Sequence, residues 1–246
     1  MKTIYKKPAS IGVYRPNTYC PGCMHSTVVR LIAEVLEELD QEKLAVCFSG
    51  VGCNANGTFG YIDIDALQIP HGRACASASA YKRCNPENLV FTYQGDGDFA
   101  SIGFAESMHA ANRGENITAI FVNNAQYGMT GGQMAPTTLM GMKTTTSPYG
   151  RTAAEHGYPM HMCELISNFQ APSFIARGTC TSPKNVRDTK KYIKKAFQNQ
   201  LDGKGFSLVE VVSACPSNWG MSPLKCLDFI DETMLKEYPI GVFRDK

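Results

Sequence analysis

Charge is scarce in this chain. Asp, Glu, Lys and Arg make up 19% of its 246 residues, the net charge is +2, and lysine and arginine never cluster densely. A nucleic-acid surface is therefore not expected, because such a surface needs concentrated cations. Long hydrophobic runs are also missing. A membrane-spanning helix needs about 20 consecutive apolar residues, and none occurs, so no membrane partner is expected. Residues 1–8 carry lysines with no apolar core behind them, so no signal peptide is expected and a cytoplasmic protein is. No internal repeat and no low-complexity linker interrupts the chain. With 43% hydrophobic residues, the expectation is one α/β domain spanning 1–246, with an irregular N-terminal arm and a C-terminal tail.

Cysteine, in contrast, is plentiful: there are ten, many for a cytosolic protein. Without a secretory signal a disulfide framework is not expected, and thiolate ligands for a metal site explain the number better. Cys20-Pro21-Gly22-Cys23 precedes a helix pattern with apolar residues at Val28, Leu31, Ile32, Val35, Leu36 and Leu39. Ser26 or Thr27 is the expected cap, and Glu34, Glu37 and Glu38 fall on the polar face. A thioredoxin-type dithiol would follow a strand of its own core, and only 19 residues precede Cys20. A tetrathiolate zinc site would bring a second Cys-x-x-Cys, which is absent. An iron–sulfur cluster with distant further ligands remains. A strand at 44–48 ends in Ser49-Gly50-Val51-Gly52-Cys53, and a strand at 206–212 ends in Ser213-Ala214-Cys215. Cysteines at strand exits can reach one edge of a sheet, so Cys20, Cys23, Cys53 and Cys215 are the expected ligands. Cys47, Cys75, Cys84, Cys163, Cys180 and Cys226 have no comparable placement and read as ordinary residues.

The chain is organised around residues 94–133. An apolar strand at 89–93 runs into Gly95-Asp96-Gly97-Asp98, a small-residue helix follows, and a second strand at 117–122 ends in Asn123-Asn124. Such a strand–helix–strand unit brings both polar loops to the same edge of a parallel sheet. The fold class expected is α/β, an open, mostly parallel sheet with helices on both faces. Mg²⁺ prefers oxygen ligands and shares them with phosphates. Asp96 offers a carboxylate oxygen, Asn124 a carboxamide oxygen, and Gln126 a backbone carbonyl. Gly95 and Gly97 admit phosphate close to the backbone, and the helix after Asp98 would point its N-terminus at it. Gly128-Met129-Thr130 adds N–H groups and a hydroxyl. His71, before a small-residue helix, could reach the same edge, although a lone loop histidine is equally at home as a structural or solvated group. Residues 134–157, rich in Met, Thr and Gly, read as an active-site or interface loop. A short strand at 174–176 and a basic helix at 184–201 follow, the helix burying Val186, Ile193 and Phe197 and turning its lysines to solvent.

Gly95-Asp96-Gly97, 25 positions (98–122) and then Asn123-Asn124 resemble the thiamine diphosphate motif. Together with YCPGC, SGVGC, HGRA, YGMTGGQMAPTT and SACPSNWG, they resemble the thiamine-diphosphate-binding β subunit of the 2-oxoacid:ferredoxin oxidoreductases. The resemblance implies three cofactors, thiamine diphosphate, Mg²⁺ and a 4Fe–4S cluster. It also implies cleavage of a 2-oxoacid to acyl-CoA and CO₂, with electrons passed singly to ferredoxin. Carried to matching positions, Cys20, Cys23, Cys53 and Cys215 would bind the cluster, and Asp96, Asn124 and the Gln126 carbonyl the magnesium. Gly50, Val51, Gly52, Cys53 and Asn54 would contact the coenzyme, as would His71, Gly72, Gly95, Gly97 and Asp98, and Tyr127, Gly128, Met129 and Thr130. His71 would also be the catalytic residue. Residues 129–151 and the SACPSNWG end look most like the branched-chain, 2-oxoisovalerate type, with 2-oxoglutarate and pyruvate types as alternatives. A non-oxidative thiamine decarboxylase and a non-catalytic metal module are the other classes open. The Glu that contacts the pyrimidine ring in related enzymes has no obvious counterpart here, Glu106 being expected mid-helix. An α subunit bearing the pyrimidine-side domain is therefore an expected partner, along with a ferredoxin-like subunit.

Overall fold

A computed structural model describes residues 6–12, 16–58 and 61–246, except the side chain at 57. The expected sheet is present. Strands β1 (Ala45–Ser49), β2 (Asp65–Gln68), β3 (Leu89–Gly95) and β4 (Thr118–Asn123) lie in its first half. A two-stranded hairpin, β5 (Gln126–Tyr127) and β6 (Gln133–Met134), stands apart from it. Strands β7 (Phe174–Thr179), β8 (Ser207–Val212) and β9 (Gly241–Asp245) complete the set. The sheet order is β2-β1-β3-β4-β8-β7-β9, parallel throughout except where β9 pairs antiparallel with β7.

Every residue of β1, β4, β7 and β8, and all of β3 but its last, is buried. That is the mark of strands covered on both faces. Helices α1 (His25–Glu38), α2 (Ala55–Thr58), α3 (Ala74–Cys84) and α4 (Phe104–Arg113) alternate with the first strands. Short helices α5 (Ala153–His156) and α6 (Met162–Ser167) precede the long α7 (Pro183–Leu201), and α8 (Pro216–Trp219), α9 (Pro223–Phe229) and α10 (Leu235–Glu237) form the tail. One apolar layer joins Val28, Leu31 and Val35 of α1 to Ile193 and Phe197 of α7 across Phe91 and Val209. The opposite layer packs Ala78 of α3, Ala111 of α4 and Ile166 of α6 on Val90, Phe121 and Leu208. Among the described residues no helix is long and apolar enough to cross a membrane.

Several local expectations are corrected. Helix α1 starts at His25 behind Met24 with no side-chain cap, and Ser26 Oγ donates instead to the Cys23 carbonyl (3.2 Å). Glu34 is not on a solvated face: it is 8% exposed, bonded to Arg30 of its own helix (2.9 Å) and Lys190 of α7 (2.8 Å). The α7 lysines are accordingly not all free in solvent, since Lys190 and Lys194 both pair with Glu38. The helix after Asp98 is interrupted. One turn of π-helix (Asp98–Ile102) ends at Gly103, and α4 begins beyond it with Glu106 in its first turn. Part of the irregular arm, residues 1–5 and 13–15, lies outside the described residues.

Candidate functional site

Strand register makes the site. Ser49 stands opposite Tyr93, Gly95 opposite Val122, and Asn123 opposite Val212. The chain therefore leaves β1, β3, β4 and β8 in one row at the carboxyl edge of the sheet, where open α/β sheets bind ligands.

Asp96 is the buried anion of this row, 2% exposed. Its Oδ1 accepts from Gly97 N (2.9 Å), and its Oδ2 from Gln126 N (3.0 Å) and Thr137 Oγ (2.7 Å). Burial pushes its carboxyl up to about 7, with those three bonds pulling the other way. A divalent cation would supply the counter-charge that the protein leaves out, since no cationic side chain is among these partners. The two asparagines divide their work. Asn123 is fully buried: its Nδ2 donates to Glu210 Oε1 (2.8 Å) and its Oδ1 accepts from Ala125 N (3.2 Å). Only Asn124 lines the cavity. Just beyond them the chain turns through Ala125, which sits at φ +61°, a left-handed conformation that costs a side chain of order 1 kcal/mol. Thr138 Oγ holds that turn by donating to the Ala125 carbonyl (2.6 Å).

The cavity has a volume of about 100 Å³. Its walls include Val51, Gly52, Cys53 and Asn54 from the loop after β1, and Gly95, Asp96, Gly97 and Asp98 from that after β3. Asn124, Gln126, Tyr127, Gly128, Met129 and Thr130 come from beyond β4, and His71 and His25 close it. Of the expected coenzyme contacts, only Gly50 and Gly72 do not line it; both pack against buried atoms, Gly50 against the Asp98 carboxylate and Gly72 against the backbone at Ile102–Gly103. Gly97 is required for a different reason, because a Cβ there would run into the Tyr127 ring. Asn54 acts as a tether, its Nδ2 donating to Gly50 O (2.8 Å) and Tyr93 O (2.9 Å). The Thr130 hydroxyl is engaged with Gln133 Oε1 (2.5 Å).

A second cavity of about 90 Å³ adjoins the first and is lined by all four selected cysteines, Cys20, Cys23, Cys53 and Cys215. His25, Cys53, Asn124 and Gly128 belong to both cavities. A Cβ on Gly128 would touch Cys215 Sγ (3.5 Å) and Cys53 Sγ (3.6 Å). Burial pushes the Cys23 thiol up to about 12, and charge on Cys215, Cys53 and Cys20 adds to it; Cys53 goes up to about 11 for the same two reasons. Deprotonating these thiols therefore needs a cation among them. Among the described residues no group of three or more His, Cys, Asp and Glu side chains is arranged to hold a single metal ion. Cys47, Cys75, Cys163 and Cys226 are buried core residues, as expected.

The sequence reading missed His25, Gln94 and Thr137. His25 is 2% exposed, bonded through Nδ1 to the Tyr93 hydroxyl (2.6 Å) and stacked on Tyr19, and burial lowers its imidazole to about 4. Its position two residues after Cys23 was the available signal. Gln94 bonds to the Asp98 carboxylate, and Thr137 reaches Asp96 from 41 residues away, for which the sequence carries no local sign.

Comparison with known proteins agrees with this geometry. The thiamine pyrophosphate enzyme family, C-terminal TPP binding domain, matches residues 47–211. The ketoisovalerate oxidoreductase subunit VorA of Methanothermobacter thermautotrophicus is 48% identical over all of this chain and 53% of its own length. The chain thus spans about half the length of the ketoisovalerate relatives it matches. The 2-oxoglutarate synthase subunit KorB of Archaeoglobus fulgidus is 36% identical over 93% of this chain and 85% of its own. A solved 2-oxoglutarate:ferredoxin oxidoreductase from Magnetococcus marinus, with 2-oxoglutarate, coenzyme A and succinyl-CoA bound, superposes with a TM-score of 0.81. It covers all of this chain and 87% of its own at 24% identity, a likeness of fold.

Proposed function

We propose that this chain, which belongs to the thiamine-diphosphate-dependent 2-oxoacid:ferredoxin oxidoreductases, binds the diphosphate end of the coenzyme and the iron–sulfur cluster of an enzyme oxidising a branched-chain 2-oxoacid. One observation carries the reading: the acidic cavity around Asp96 and the four-thiol cavity share a wall made of His25, Cys53, Asn124 and Gly128. An ordinary βαβ turn with Asp96 as a cap would need no thiols beside it.

In this reading Asp96, Asn124 and the Gln126 carbonyl hold Mg²⁺. Gly95 and Gly97 let phosphate oxygens approach the backbone, with Met129 and Thr130 closing the mouth. Cys20, Cys23, Cys53 and Cys215 would hold a 4Fe–4S cluster, one thiolate to each iron. When bound, the coenzyme supplies the electron sink for loss of CO₂, and the cluster accepts electrons singly on their way to ferredoxin. The chain's own contribution is to orient, to seal and to hold charge: Thr137 and two backbone N–H groups aim Asp96, and Asn54 and Asn123 fix the loops on either side. The preference for 2-oxoisovalerate follows the 48% identity to a ketoisovalerate subunit, above the 36% to 2-oxoglutarate relatives. Coenzyme A completes the substrate set. The cavity walls offer no glutamate, so the pyrimidine-side acid comes from beyond this site, on an α subunit, with a ferredoxin-like subunit receiving the electrons. Ten free cysteines accord with a reducing, cytoplasmic setting.

Anaerobic purification with metal analysis tests the reading. Four irons per chain and saturable coenzyme binding dependent on Mg²⁺ are expected. Coenzyme without iron would instead mark a non-oxidative decarboxylase, and stoichiometric zinc without coenzyme a structural module.

A further inference from the structure

Two carboxamides converge on the sulfur of Cys215. Asn218, in α8, approaches from the thiol cavity, and Gln126, in β5, from the acidic one. Asn218 Nδ2 donates to the Gly128 carbonyl (2.6 Å) and to Cys215 Sγ (3.5 Å). The first bond settles the second. A carbonyl oxygen accepts only from the amide nitrogen, so an N–H, and not Oδ1, meets the sulfur. Gln126 is 2% exposed, and its Nε2 is buried with no hydrogen-bond partner among the described residues. A buried donor left unpaired is costly, and its presence marks a stronger acceptor than the folded chain alone supplies. Gln126 acts on the same sulfur as Asn218. Burial pushes the Cys215 thiol up, and the Asn218 backbone N–H and the Gln126 and Asn218 amides pull it back. Gly132, at φ +81°, lets the two amides lie side by side, since a Cβ there would stand 3.1 Å from Asn218 Cβ and 3.3 Å from Gln126 Oε1.

A neutral thiol gains little from such donors, whereas an iron-bound thiolate is a charged acceptor. One electron added to a cluster here, drawn from the 2-oxoacid under oxidation, makes and breaks no bond. It places more negative charge on the sulfurs, so N–H groups aimed at them favour the reduced form. Neither carboxamide titrates, so their effect is built into the fold.

We propose that Asn218 and Gln126 are positioning residues that act through Cys215, donating amide hydrogens to its sulfur and so raising the reduction potential of the cluster. The inference rests on the reading of the four thiols as a cluster site and adds the two side chains that set how readily that cluster takes its electron.

The test uses the full chain purified anaerobically, with Asn218→Leu and Gln126→Met, which keep side-chain size and remove the N–H groups. The Gln126 backbone N–H stays on Asp96 Oδ2 (3.0 Å) whatever the side chain. Both variants should keep the parent's iron content. In a dithionite titration read by electron paramagnetic resonance, each should be about tenfold harder to reduce, roughly 59 mV lower for a one-electron step. In the reduced parent, labelled with ¹⁵N at the Asn and Gln side-chain amides, pulsed resonance should detect ¹⁵N coupled to the cluster, and each variant should lose part of that coupling. Full iron with unchanged potentials overturns the inference and leaves the cluster reading standing. Iron lost from both variants makes the amides props for the ligands and overturns it too. A reduced parent without ¹⁵N coupling refutes it whatever the variants do, and a parent that takes up no iron refutes the cluster reading as well.

Discussion

Glu210→Gln is a small change with a large expected consequence. Glu210 lies in the middle of β8, wholly buried, and three groups meet its two oxygens. Oε1 accepts from Asn123 Nδ2 (2.8 Å), Oε2 from Arg177 Nε (2.8 Å) and Cys163 Sγ (3.2 Å), and Arg177 is itself 0% exposed. Arg177 keeps Glu164 as a second partner, but that carboxylate is 36% exposed and cannot replace a fully desolvated one. A glutamine can turn one oxygen toward Asn123 or toward Arg177, never both, and its amide then faces a donor. Breaking a buried ion pair typically costs about 3–5 kcal/mol. For a chain of this size each kcal/mol corresponds to roughly 2–4 °C, so Tm should fall by about 6–20 °C in a thermal scan without ligand. Because Asn123 shapes the turn at Ala125, magnesium pyrophosphate should also bind more weakly. The double variant Arg177→Met/Glu210→Gln should recover most of the loss, since it removes the stranded charge. A Glu210→Gln protein melting within about 2 °C of the parent would refute the claim that this buried pair needs both its charges.

Further outcomes follow from the same geometry. Asp96→Ala should abolish Mg²⁺-dependent coenzyme retention on dialysis against chelator, and retention at the parent stoichiometry would contradict the assignment. Gly97→Ala should weaken coenzyme binding tenfold or more while leaving the circular dichroism spectrum intact, because the new methyl displaces the Tyr127 ring. Cys215→Ala should lose iron, whereas Cys180→Ala and Cys226→Ala should keep it; equal loss in all three would sink the ligand set. With its partner subunits, CoA and ferredoxin, the enzyme should turn over 2-oxoisovalerate at least tenfold faster than 2-oxoglutarate or pyruvate, and a reversed order would move the chain to another substrate class.

Much of this site was legible because it is local. Gly95-Asp96-Gly97 and Asn123-Asn124 lie on consecutive strands, and parallel pairing obliges their loops to meet. The four thiols that line one cavity follow the same rule, each standing at a strand exit or ahead of a helix. What escaped was set by contacts across long separations. Glu34 was read as solvated because helical periodicity shows which face a residue occupies and not that α7 would cover that face with Lys190. Thr137 and Glu210 have no local pattern, since each acts through a partner that only folding supplies. The interruption at Gly103 was invisible because small residues run through both the π turn and α4. Strand β2, short and mostly exposed, lacks the apolar run that betrays a central strand, and β9 comes from the C-terminal tail, where nothing in the sequence announces its pairing with β7.

The wall common to the two cavities has a consequence for anyone who would borrow either one. His25, Cys53, Asn124 and Gly128 cannot be assigned to one side, so neither cavity is a module that transplants alone. A scaffold given only the acidic half would inherit two orphaned walls, and one given only the thiols would lack the turn that keeps Gly128 close to Cys53 and Cys215. Redesign here has to move both halves together.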